Sequence, residues 1–176
     1  MLDFLKPSLF IHEMKTVSTT FSYHLKDDIL KTPLAVDGYG ALKCVQYVLD
    51  MFEMHKELNE LKALGKEMSV MEKDRLIFGQ IADILETFDL DVGERALTYG
   101  EMLAALDCEH QLMAAIKVGG ETHCVIVLDV DLEEKSVMVY APSQGEVPVV
   151  MPFDDFADAW IECGNRMFDI NNQSIS

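Results

Sequence analysis

The feature that most limits what this chain can fold into is a change of hydrophobic period near residue 107. Before it, apolar residues recur at three- and four-residue steps; after it, they form short β-branched runs bounded by turn residues. Leu42, Val45, Leu49 and Phe52 make one helical stripe after a turn marked by Pro33 and Asp37-Gly38, with Asp37 placed to favour the helix start and Gly65 near its stop. Leu76, Ile77, Ile81, Ile84, Leu85 and Phe88 predict a second helix from Glu72 to Phe88. Thr98-x-x-Glu101 is a capping box that opens a short third helix through Met102, Leu103 and Leu106.

Beyond it the reading is strands: Gln111 to Val118, Thr122 to Val130, Ser136 to Ala141 and Val147 to Met151. Gly119-Gly120 and the polar stretch Asp131 to Lys135 are their hairpin turns. A short helix from Pro152 to Ile161, with acids Asp154 and Asp155 behind its proline, precedes a last strand from Asn165 to Ile170. Helices first and an antiparallel sheet afterwards define an α+β domain. Residues 32–170 carry it; residues 1–31 read as an N-terminal extension packed on it, with a strand-like stretch from Thr16 to Leu25, and residues 171–176 as a flexible tail.

The formal net charge is −17, which argues against nucleic acid and anionic membrane surfaces, because both are held by Lys and Arg. Such acidity serves solubility or steers toward a basic partner. No apolar run approaches the ~20 residues of a membrane span, and the first residues lack a signal peptide's pattern, so a cytoplasmic location is expected. Cys44, Cys108, Cys124 and Cys163 contain no CxxC pair, so no zinc site and no other metal or cofactor is expected, and the thiols read as reduced, mostly buried small hydrophobes. Asp129-x-Asp131-x-Glu133-Glu134 lacks the glycine and spacing of a calcium loop and reads as a solvated turn.

Three joints carry a resemblance. They are Asp37-Gly38-Tyr39-Gly40-Ala41-Leu42 entering a helix, Gly119-Gly120-Glu121-Thr122-His123 entering Cys124-Val125-Ile126-Val127-Leu128, and Val139-Tyr140-Ala141-Pro142-Ser143 leaving a strand. With the Phe153…Trp160 helix, they resemble the bacteriocin-processing, papain-like cysteine peptidases found on some bacterial peptide exporters. The resemblance covers about residues 32–170 and implies a papain-like fold, an N-terminal helical half packed against a C-terminal antiparallel sheet.

That family places Asp-Cys-Gly at the first joint, Gly-His at the second and Asp-Pro at the third. Its chemistry needs a thiolate at a helix N-terminus, a histidine to move the proton, an acid to orient the imidazole and an upstream Gln for the oxyanion. Aligned on Gly40, the nucleophile position is Tyr39; aligned on Asp37, it is Gly38; neither supplies a thiol. Cys44 lies deeper in the helix, Ala141 holds the orienting position, and no Gln stands between Leu30 and Val36. Of the four parts, only His123 remains.

The resemblance therefore implies a catalytically inactive domain that binds a peptide or protein, linked to secretion or export, with Tyr39, Gly40, His123, Ala141 and Pro142 as ligand-binding candidates. Two other readings stand beside it. One is a divergent hydrolase or transferase in which His123 works with Cys44, Cys108 or another relocated group, which requires that group within hydrogen-bond reach of the ring. The other is an acidic secretion chaperone.

Overall fold

The structure, a computed structural model, describes residues 34–145 and 147–172. The strand expected from Thr16 to Leu25 lies outside them. A short strand β1 (Ala35–Asp37) leads into helix α1 (Gly38–Met51). Asp37 caps the helix: its side-chain Oδ2 accepts from the Gly40 N–H at 2.8 Å. The predicted stripe is the buried face, with Leu42, Val45, Val48 and Leu49 fully enclosed.

Where one helix was expected to run on to Gly65, there are two. Helix α1 stops at Met51, Glu53 takes a positive φ, and helix α2 (Leu58–Glu67) restarts behind a Glu57/Glu60 capping box. The helix expected from Glu72 to Phe88 is also divided. Its first part is a hairpin of strands β2 (Met71–Glu72) and β3 (Arg75–Ile77), followed by a 3-10 turn (Phe78–Gln80) and a short helix α3 (Ile81–Glu86). Strand β1 pairs with β3, Val36 opposite Leu76, so a non-local strand partner claims residues whose spacing also suits a helix.

The rest is a six-stranded antiparallel sheet. Its strands are β4 (Asp91–Glu94), β5 (Gln111–Val118), β6 (Glu121–Asp131), β7 (Ser136–Tyr140), β8 (Val149–Pro152) and β9 (Met167–Asn171), in the order β4-β9-β5-β6-β7-β8. Helix α4 (Tyr99–Asp107) begins at the predicted capping box, with Glu101 N–H donating to Thr98 Oγ1 at 3.1 Å. Helix α5 (Phe153–Ile161) follows β8. Gly119 and Gly120 have φ of +61° and +82° and close the β5–β6 hairpin with Val118 opposite Glu121, the two-residue turn that glycines permit. Asp131 Oδ1 accepts from the N–H groups of Glu133 and Glu134, so the acidic stretch is the expected turn.

The sheet buries both faces, and its residues alternate between them. Met113, Ala115, Cys124, Ile126, Phe168 and Ile170 pack toward α1; Leu112, Ala114, Val125, Val127, Val137 and Val139 pack toward α4 and α5. Phe153 stacks on Tyr99 at 3.7 Å between ring centroids, and Phe78 stacks on Phe168 at 4.5 Å, which ties the 3-10 turn to the sheet. Removing any of these buried rings is worth about 3–5 kcal/mol.

Both sheet edges resist further pairing. Strand β4 carries Asp91 and Glu94. At β8, the Phe153 N–H donates to the Lys135 carbonyl at 2.8 Å, which by ladder alternation turns positions 148, 150 and 152 outward. Two of these are Pro148 and Pro152, which offer no N–H.

Candidate functional site

The start of α1 forms one wall of the site. Gly38 is packed so tightly that a Cβ there would lie 2.7 Å from the Asp74 carbonyl oxygen, and its own N–H donates to that oxygen at 2.8 Å. No side chain fits without moving backbone. Tyr39 follows, 53% exposed, with the Lys43 ammonium 5.7 Å from its ring centroid. It lines an open cleft of about 320 Å³ together with Asp37, Leu42, Leu58, Lys62 and Asp74. Gly40 faces elsewhere: a Cβ on it would lie 3.0 Å from Asp37 Oδ2 and 3.5 Å from Ser143 Cβ.

The second wall comes from the sheet. His123 is 7% exposed at the start of β6, directly opposite Ile116 of β5. By the pleat it shares its side of the strand with Val125 and Val127, whereas Cys124 and Ile126 face α1. Its Nδ1 is hydrogen-bonded to Ser143 Oγ at 2.9 Å. Ser143 stands in a 3-10 turn (Pro142–Gln144) that follows buried Ala141 and opens with buried Pro142. The exposed Ser143 thus stands between both walls: its hydroxyl is bonded to His123, and its Cβ lies 3.5 Å from where a Cβ on Gly40 would be.

The candidate residues therefore fall into two groups. His123, Ala141, Pro142 and Gly40 gather around Ser143, while Tyr39 belongs to the neighbouring cleft, whose lining does not include His123. Tyr39 makes no hydrogen bond to His123. Ser143 is the residue that the spacing arguments passed over. A lone serine after Ala-Pro carries no motif, and only the return of the chain 20 residues later brings it to the imidazole.

The cysteines do not compensate. Cys44 is buried and donates its thiol to the Cys124 carbonyl at 3.4 Å. Burial pushes its pKa far up; burial, then the neighbouring Cys44, does the same for Cys124, and burial raises Cys163. Cys108 is exposed, at the C-terminal cap of α4. The group hydrogen-bonded to the His123 ring, among the described residues, is a hydroxyl and not a sulfur. Among the described residues no cluster of three His, Cys, Asp or Glu side chains could hold a metal, and no helix is long and apolar enough to cross a membrane.

No family model matches the chain, and no curated protein matches it. Solved structures do. The peptidase domain of Streptococcus ComA, a bifunctional ABC transporter involved in a quorum-sensing pathway, superposes with a TM-score of 0.58 at 12% identity, over 81% of this chain and 100% of that one. A protein from Bacillus anthracis assigned as a C39-like peptidase gives a TM-score of 0.60 at 10% identity, over 80% of this chain and 92% of that one. Identities this low carry the fold alone, and the fold is that of the papain-like, C39-type peptidase domains: a helix-rich region packed against a large antiparallel sheet, as the three joints implied.

Proposed function

We propose that this chain is a peptidase-fold domain that binds polypeptide and does not cleave it, in a pathway linked to secretion or export. One observation carries the reading. The helix start, where a papain-like enzyme keeps its thiolate, holds a glycine locked against a backbone carbonyl and an outward tyrosine, and an open cleft of about 320 Å³ remains beside it. That volume is at the lower end of the range for ligand sites and suits one or two side chains of a peptide.

Tyr39 is the contact residue in this reading, an aromatic face with a polar tip at the mouth of the cleft. The cleft carries both Asp74 and Lys62, and the net charge of −17 favours a partner segment that carries Lys or Arg. Residues 32–170 are the binding unit, with residues 1–31 an extension of it, and the proposed location is cytoplasmic. The acidic-chaperone reading gives His123 and the cleft no role and is set aside.

The test is affinity capture from the native host, followed by titration of a synthetic peptide from the captured polypeptide into the purified chain. Saturable binding that weakens by ~10-fold or more in Tyr39→Ala, the scale of an aromatic contact residue, is expected. Binding that is indifferent to Tyr39 would remove the cleft from the account.

A further inference from the structure

Among the described residues, the side chain hydrogen-bonded to the His123 ring is a nucleophile-bearing one. We infer that Ser143 and His123 form a serine–histidine pair that reacts with activated acyl groups, esters or thioesters, while leaving peptide bonds intact. The inference is independent of the polypeptide-binding reading and uses none of the Tyr39 cleft.

Four observations support it. Ser143 Oγ lies 2.9 Å from His123 Nδ1, within proton-transfer distance. The serine is exposed and the histidine 7% exposed, so the nucleophile meets solvent and substrate while the base is shielded. The turn Pro142–Gln144 fixes the serine, its Gln144 N–H donating to the Ala141 carbonyl at 2.8 Å. Across from it, the first turn of the 14-residue helix α1 meets the serine at Gly40, where a Cβ would lie 3.5 Å from Ser143 Cβ, so the glycine leaves the serine's side of the helix clear.

In the tautomer that carries its proton on Nε2, Nδ1 accepts from the Ser143 hydroxyl. Ser143 Oγ attacks the acyl carbon as its proton passes to Nδ1. The C–O or C–S bond to the leaving group then breaks, and the alcohol or thiol departs with that proton, leaving an acyl ester on Ser143. Water adds to that ester by the same route and releases the carboxylic acid, restoring both residues. Among the described residues no carboxylate orients His123 from its other nitrogen, which limits the pair to good leaving groups and excludes amides.

The experiment labels the intact chain with a fluorophosphonate probe and locates the adduct by mass spectrometry, alongside turnover of p-nitrophenyl acetate. The expected result is an adduct on Ser143 that Ser143→Ala abolishes and His123→Gln slows by roughly 100-fold, the usual contribution of a general base. Ser143→Cys, which needs little space at an exposed site, is expected to react with iodoacetamide faster than Cys108 does, and to lose that advantage when combined with His123→Gln. An adduct absent from Ser143, or labelling indifferent to His123 in a variant that melts like the parent, overturns the inference. Peptide binding measured on the same samples keeps the two proposals apart: binding without labelling sinks this one, and labelling without binding sinks the other.

Discussion

The two walls of the site carry different things. The helix wall carries architecture and no thiol: Asp37 caps α1, while Gly38 and Gly40 are held where side chains crowd neighbouring atoms. The sheet wall carries an imidazole and its hydrogen-bond partner, with Ala141 buried near by and Ser143 on His123. The difference teaches that placing a thiol at the helix start would take more than one substitution. At Gly38 the backbone itself, packed on Asp74, leaves no room for a Cβ, and at Tyr39 the side chain opens into a cleft that His123 does not line.

The comparison can be broken most forcefully at Gly38. Gly38→Cys is expected to destabilise the fold by about 1–3 kcal/mol, because its Cβ overpacks against backbone that cannot swing aside. Urea denaturation measures this, and the new thiol should show no His123-dependent alkylation. A neutral Gly38→Cys with an activated thiol would mean that the helix wall is still a nucleophile site. Asp37→Ala comes next, with a loss of about 1 kcal/mol from the unsatisfied Gly40 N–H. Ser143→Ala on the sheet wall should cost about 1 kcal/mol by the same measurement, since it leaves the shielded His123 Nδ1 without its hydrogen-bond partner.

A smaller, pH-dependent effect belongs to the far end of the same helix. His55 bridges Glu57 at 3.0 Å and Asp50 at 2.6 Å, linking the last turn of α1 to the cap of α2. These hydrogen bonds, Glu57 first and Asp50 next, raise its pKa above the usual histidine value. A raised folded pKa means that the link is fully present below the unfolded value of about 6.5 and is lost as pH rises through the folded one. An NMR titration of the His55 ring should give a midpoint above that value, and Glu57→Gln should lower it; an unchanged midpoint would contradict the assignment. The smallest expected effect is on thiol chemistry. Iodoacetamide at neutral pH should modify Cys108 at an ordinary rate and leave Cys44, Cys124 and Cys163 untouched in the native chain, because burial disfavours their thiolates.

The same division separates what could be read in the sequence from what could not. The sheet half was legible because its signals are local: the Gly119-Gly120 turn, the β-branched run from Val125 to Leu128, the Thr98/Glu101 box and the proline before α5 each act within a few residues. The region from Glu72 to Phe88 was not. Leu76 and Ile77 fall on a helical stripe, but their backbone partner is Ala35–Val36, some 40 positions earlier, and a local period cannot see it. Strand β4 was missed for a related reason: Asp-Val-Gly-Glu has no alternating pattern and is a strand only because β9 pairs with it. At the site, His123 could be found from its place before a strongly apolar strand, whereas Ser143 was visible only once the 3-10 turn had folded back. Packing, which no spacing encodes, tells Gly38 and Tyr39 apart: the first has no room for a Cβ, and the second opens into a cleft.

The central proposal, that the chain binds polypeptide without cleaving it, is tested most directly by incubating the purified chain with the polypeptide it captures and following the partner's intact mass over hours. The account predicts saturable binding with the partner unchanged in mass. Truncated products that disappear when the chain is first treated with iodoacetamide would contradict it.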